Sequence, residues 1–243
     1  MADWASKRFW KSAGVEAHDS GVAVRLDTRP IRTPAGAPLV LPTEALAQAI
    51  AAEWDAQSEV VDPRTMPLTR AANSALDKVA PQHTAVAELL AEYGGTDLLC
   101  YRADRPRELV AKQSQLWDPL LDWADESFGG RLRVTQGVMP IAQDPDALAR
   151  LAAPMHSMSS FHLAAFHDLV AMTGSLVLGY VATNGVRSPD EVWQLSRLDE
   201  EWQADEWGHD DEAEEVAALK RQAFLDACRF WALCGAGDDP TRA

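Results

Sequence analysis

The amino-acid sequence predicts an α+β protein, with a small antiparallel β-rich N-terminal domain over residues 1–66 and a larger all-α domain over residues 67–243. Three observations carry this prediction. From Phe9 to Leu41 apolar residues recur at every second position, the period of a strand. At Pro42-Thr43 the spacing lengthens to three and four residues, the period of a helix, and beyond Leu68 it does not shorten again. The punctuation changes with it, from tight turns to helix caps.

In the first part Val15 and Ala17, then Val22, Val24 and Leu26, then Ile31 and Thr33, then Leu39 and Leu41 alternate with polar residues. Asp19-Ser20-Gly21, Asp27-Thr28-Arg29-Pro30 and Ala35-Gly36 separate them, residue types that bond their own backbone or tolerate a left-handed conformation. The pattern is an antiparallel meander of short strands. Thr43 then caps a helix bearing Leu46, Ile50 and Trp54 at four-residue spacing. A helix directly after a small sheet covers its apolar face, so Trp54 is expected to anchor the core. Val60 to Pro67 is extended by its prolines and marks the expected domain boundary.

Caps, glycines and apolar periodicity predict helices over 69–79, 82–93, 96–103 and 107–126, the last kinked at Asp118-Pro119. An irregular stretch, 129–143, precedes helices at 145–152, 157–172, 174–183, 189–207 and 211–234. On the final helix Val216, Leu219, Ala223, Ala227, Phe230 and Cys234 share one face, joined by Phe224 and Trp231.

A formal charge of −15 argues against nucleic acid or an anionic membrane as partner, since both are held by clustered Lys and Arg. The longest apolar run, Leu169 to Val181, is too short and too interrupted to cross a bilayer. Cys100, Cys228 and Cys234 have neither the even count nor the spacing of a disulfide framework, and the N-terminus lacks the apolar core of a secretory signal. A cytoplasmic chain is expected.

Motifs that carry their own chemistry are missing. There is no GxxxxGK[ST] phosphate cradle, and Thr173-Gly174-Ser175 lacks the frame of a GxSxG nucleophile elbow; its small residues suit close helix packing. His156, His162 and His167 are spaced by six and five, which does not bring all three onto one helical face. A metal-dependent hydrolase built on these histidines and the late carboxylates is the alternative reading of function. His209-Asp210-Asp211-Glu212 lacks the alternating ligands and central glycine of a calcium loop. No cofactor or metal is expected, and no catalysis.

The segment Trp193 to Glu215 nominates a surface instead. Leu195, Leu198 and Trp202 form one stripe of a helix opened by the capping box Ser188-Pro189-Asp190-Glu191 and closed at Gly208. Ten acidic residues from Asp199 to Glu215 have no Lys or Arg among them, and Trp193, Trp202 and Trp207 interleave with the carboxylates, Glu200, Glu201, Asp205 and Glu212 among them. Aromatic side chains ringed by charge suit partner binding.

A series of blocks, in order along nearly the whole chain, resembles the ATP synthase assembly chaperones that hold the alpha subunit of the catalytic head. They begin with Arg8-Phe9-Trp10-Lys11, Leu26-Asp27-Thr28-Arg29-Pro30-Ile31-Arg32-Thr33-Pro34, Ala52-Glu53-Trp54-Asp55-Ala56-Gln57 and Met66-Pro67-Leu68-Thr69. They continue with Thr96-Asp97-Leu98-Leu99-Cys100-Tyr101-Arg102-Ala103, Gln113 to Pro119, Thr173-Gly174-Ser175, Asp199-Glu200-Glu201-Trp202-Gln203 and Trp207-Gly208. Thr28 departs from the family pattern, which has glycine there; a positive φ would strain threonine. The resemblance implies a β-rich domain followed by a helical one, and transient binding of the unassembled alpha subunit until the beta subunit replaces it. It implies functional roles for Glu200, Glu201 and Glu212 in the acidic helical region and for Trp54, with Asp97 in a matching block.

Overall fold

The computed structural model describes residues 7–137, 139–208 and 210–235. Met1 to Ser6, Val138, His209 and the residues from 236 onward therefore lie outside the described structure, including the start of the N-terminal stretch and the first residue of the His209 cluster. The fold is α+β.

Strands β1 (Ala13–His18) and β2 (Gly21–Leu26) pair antiparallel from Ala13↔Leu26 to His18↔Gly21, closed by the two-residue turn Asp19-Ser20. Two short strands, β3 (Arg29–Pro30) and β4 (Val40–Leu41), also pair antiparallel with β2. In the turn between β2 and β3 the positive φ falls on Asp27, at 53°, and not on Thr28, so the threonine is compatible with this turn. The Ser12 and Lys11 amides donate to the Asp27 carboxylate and hold it there, which also lowers its pKa.

Helix α1 (Glu44–Asp55) starts where Thr43 Oγ1 accepts from the Leu46 amide, and it buries Leu46, Ala47, Ile50 and Ala51 beside the sheet. Then come α2 (Pro67–Ser74), continued by a π-helical turn over Ala75–Val79, α3 (His83–Ala91) and α4 (Arg107–Phe128). The remaining helices are α5 (Pro145–Ser157), α6 (Ser160–Thr173), α7 (Leu176–Thr183), α8 (Pro189–Ser196), α9 (Leu198–Trp207) and α10 (Asp211–Leu233). Side chains from Trp10 and Leu41 through Phe166 and Tyr180 to Phe230 and Cys234 make one buried cluster. Each large apolar side chain enclosed there stabilises the fold by about 1.5–3 kcal/mol relative to exposure.

Three local expectations are corrected. Residues 96–103 are not an α-helix: Asp97 caps a single 3₁₀ turn, Leu98–Cys100, and Tyr101–Arg102 (β5) pairs in parallel with Thr135–Gln136 (β6). The helix expected over 189–207 is two helices, interrupted at Arg197. Thr173-Gly174-Ser175 is a turn rather than a packing surface. Gly174, at φ +67°, ends α6 in the left-handed conformation, and Ser175 caps α7 through the Leu178 amide. The close approach of α6 and α7 occurs at Gly179, where a Cβ would stand 2.7 Å from Val170 Cγ2.

Candidate functional site

The resembling blocks converge in space, and hydrogen bonds explain their composition. Glu53 reaches from α1 to the amides at the start of α2, which have no acceptor within that helix: its two carboxylate oxygens accept from Leu68 N at 2.7 Å and Thr69 N at 2.8 Å, and the second also from Thr69 Oγ1. Asp55 accepts from the Ala13 amide, and Gln57 binds Glu53 O, Thr65 Oγ1 and Asp62 N. Trp54 is half-buried between them, 5.2 Å from Trp10 in an edge-on contact. The Trp10 and Trp54 indole nitrogens are both enclosed without a hydrogen-bond partner, so these rings contribute through packing.

Asp97 is fully buried at the junction of two helical starts. Its Oδ1 accepts from Leu99 N at 2.9 Å and its Oδ2 from Val177 N at 3.1 Å, while Leu98 N bonds Gly174 O. Burial nonetheless outweighs these donors and pushes its pKa up to about 6. Nearby, the enclosed Arg102 binds Asp118 at 2.8 Å and Leu99 O at 2.9 Å and lies over the Trp117 ring, whose indole donates to Leu195 O. Gln113, also buried, accepts from Ala103 N and donates to Asp199 Oδ1 at 2.7 Å. The start of α9 is thereby anchored to α4 across 86 residues of sequence.

From that anchor α9 and the first half of α10 continue as a largely exposed arm. Leu198 is the buried residue of α9, and residues 211–216 and 218–223 of α10 are exposed. Glu200 is exposed and meets Arg197 at 2.9 Å. Glu201 is exposed beside Lys112; partial desolvation raises its pKa, and Lys112 and Arg197 oppose the rise. Trp202 is half-buried, with the Lys112 ammonium 5.7 Å from its ring centroid. Asp205 is exposed, Trp207 is 86% exposed, and Glu212 is exposed in the first turn of α10, its amide bonded to Asp210. Trp193 belongs to the core at 6% exposure, against Phe224.

The structure places Glu200, Glu201, Trp202, Asp205 and Trp207 on α9 and Glu212 in the exposed first turn of α10, with Trp54 on α1 and Asp97 buried at the start of α7. Lys112, Gln113 and Arg197 are the neighbours that sequence reading gave no role. Gln113 and Asp199 each sit in a resembling block, which is the signal that could have joined them. The three histidines do not converge. His162 is buried, its ring bonded to Ser159 and Gly235 O, whereas His156 is exposed and His167 is half-buried beside Asp168. Among the described residues no group of three His, Cys, Asp or Glu side chains is placed to hold a metal ion, and no helix is long and apolar enough to cross a membrane. The three cysteines are free.

Residues 7–125 match the family model described as ATP12 chaperone protein, a match that ends before the acidic arm. The crystal structure of Atp12 from Paracoccus denitrificans extends the likeness: 53% identity, 96% of this chain and 100% of that one covered, TM-score 0.92. A solved protein of Agrobacterium tumefaciens is 41% identical over 92% of this chain and 85% of its own, with a TM-score of 0.85. The mitochondrial protein atp12 of Schizosaccharomyces pombe is 25% identical over 240 residues, 91% of this chain and 82% of that protein. The chain belongs to the ATP12 chaperone family, the ATP synthase assembly chaperones that its sequence resembles.

Proposed function

We propose that this protein captures the unassembled alpha subunit of the ATP synthase catalytic head and shields its intersubunit surface until the beta subunit takes its place. The observation that supports this reading is the arm: exposed carboxylates and an indole that is 86% exposed, on α9, which buries Leu198, and on the exposed first half of α10. A subunit awaiting its neighbour presents apolar and charged surface prone to aggregation, and a cover of this kind protects it. Exposed ion pairs contribute only about 0–1 kcal/mol each, so the contact stays exchangeable and release needs only competition. On this reading the chain performs no catalysis, uses no cofactor, and works in the aqueous compartment where the head is assembled, the cytoplasm in bacteria.

Co-expression with the alpha subunit is the test. Co-purification and a larger soluble fraction of alpha subunit are expected; absence of both removes the proposal. Within the arm, Glu201→Lys sets a second cation against Lys112 and reverses one contact charge. It is expected to weaken capture about fivefold at low salt, less at high salt, with an unchanged unfolding midpoint. Unaltered affinity would take α9 out of the interface.

A further inference from the structure

Helix α10 carries one apolar stripe along its length, and only half of it is covered. Val216 lies seven and eleven residues before Ala223 and Ala227, and Leu219 lies eleven before Phe230, intervals that return a helix to the same face. Phe224, Ala227, Phe230 and Trp231 are enclosed in the core, whereas Val216 is 46% and Leu219 is 73% exposed. Val216 also lines a hollow of about 370 Å³ together with Asp210, Lys220 and Arg197, the last at the break between α8 and α9. A helix that continues its core stripe into solvent, beside a hollow, has the form of a surface completed by a partner.

We propose that this uncovered stripe, centred on Val216 and Leu219, is the apolar half of the client contact and receives an amphipathic, basic segment of the alpha subunit. The proposal rests on the alpha-subunit reading above. Charge complementarity selects the occupant. Asp211, Glu212, Glu214 and Glu215 precede Val216 on the same helix, with Lys220 and Arg221 just beyond Leu219, so a segment laid along the stripe is favoured when Lys or Arg flank its apolar residues at the end that meets the acidic turns. A second copy of this chain is disfavoured by the same charges, since each copy carries −15. The two halves then divide the work: the carboxylates attract and orient the client, and burial of Val216 and Leu219 slows its departure.

The experiment measures association and dissociation of purified alpha subunit with the wild type, with Val216→Ser/Leu219→Ser, with Leu219→Met and with Glu201→Lys, at two salt concentrations. Both stripe residues are exposed, so urea midpoints should be unchanged. The serine double variant is expected to dissociate about tenfold faster with its association rate and salt dependence intact, and Leu219→Met to behave as wild type. Glu201→Lys should instead slow association. If the wild type binds and the double variant releases the client no faster, the stripe is outside the contact and this inference alone falls. If the wild type does not bind alpha subunit, the client assignment falls and the inference with it. A wild-type dimer in sedimentation that the double variant dissolves would make the stripe a self-interface and overturn the proposal.

Discussion

Among the described residues Asp97 is the carboxylate sealed completely from water, and replacing it with asparagine tests what that enclosure costs. Its pKa rises from 3.8 to about 6 because burial penalises the anion more than the surrounding donors stabilise it. The folded state therefore holds the proton more tightly than the unfolded chain. The resulting stabilisation is complete below the unfolded pKa and is lost as pH rises through the folded one. A rise from 3.8 to about 6 corresponds to about 3 kcal/mol, of which about 2 kcal/mol disappears between pH 4 and pH 7. Asp97→Asn cannot titrate, and because both carboxylate oxygens accept from backbone amides, one donor must face the new NH₂ group. That mismatch adds a loss of about 1–3 kcal/mol that does not vary with pH. Urea unfolding of both proteins from pH 4 to pH 8 reads the difference directly. Carboxylates held below their ordinary pKa, such as Asp27 and Glu191, pull stability down as pH falls but do so in both proteins and cancel. The advantage of wild type over variant should shrink by about 2 kcal/mol from pH 4 to pH 7. Parallel curves would show that Asp97 titrates in the fold as it does in water and refute the reasoning.

Two further substitutions probe the framework. Glu53→Ala deprives the Leu68 and Thr69 amides of their acceptor and should lower stability by about 1–3 kcal/mol, seen as a fall in the urea midpoint; Glu53→Gln should recover part of it. Gly179→Ala drives a methyl to 2.7 Å from Val170 Cγ2 and 3.1 Å from a Phe166 ring carbon; α6 and α7 must separate, at a cost of about 1–3 kcal/mol, read as a lower Tm in calorimetry.

Much of the architecture is local information. The switch from two-residue to helical spacing at Pro42-Thr43 is where β4 gives way to α1, because alternation suits a pleated strand and three-and-four spacing a helical face. The capping box at Ser188 likewise depends on residues within one turn of the chain. Errors arose where distant groups outvoted local preference. Thr96 to Ala103 has helical periodicity, yet Asp97 is needed by Val177, 80 residues away, and Tyr101–Arg102 is claimed by the parallel strand β6. The helix expected across 189–207 breaks at Arg197 where Trp117 takes the Leu195 carbonyl and Gln113 holds Asp199, bonds spanning 78 and 86 residues.

By itself the sequence determined the fold class, the turns and caps, the acidic, tryptophan-bearing character of residues 193–215 and, through its blocks, the family. Only the tertiary structure decided that Trp193 is core while Trp207 stands in solvent, that Lys112 lies over Trp202, and that the apolar stripe of α10 is covered from Phe224 onward but bare at Val216 and Leu219. Periodicity states which residues share a face of a helix. Whether that face meets the protein's own core or water depends on where the other helices end, and no stretch of local sequence contains that information.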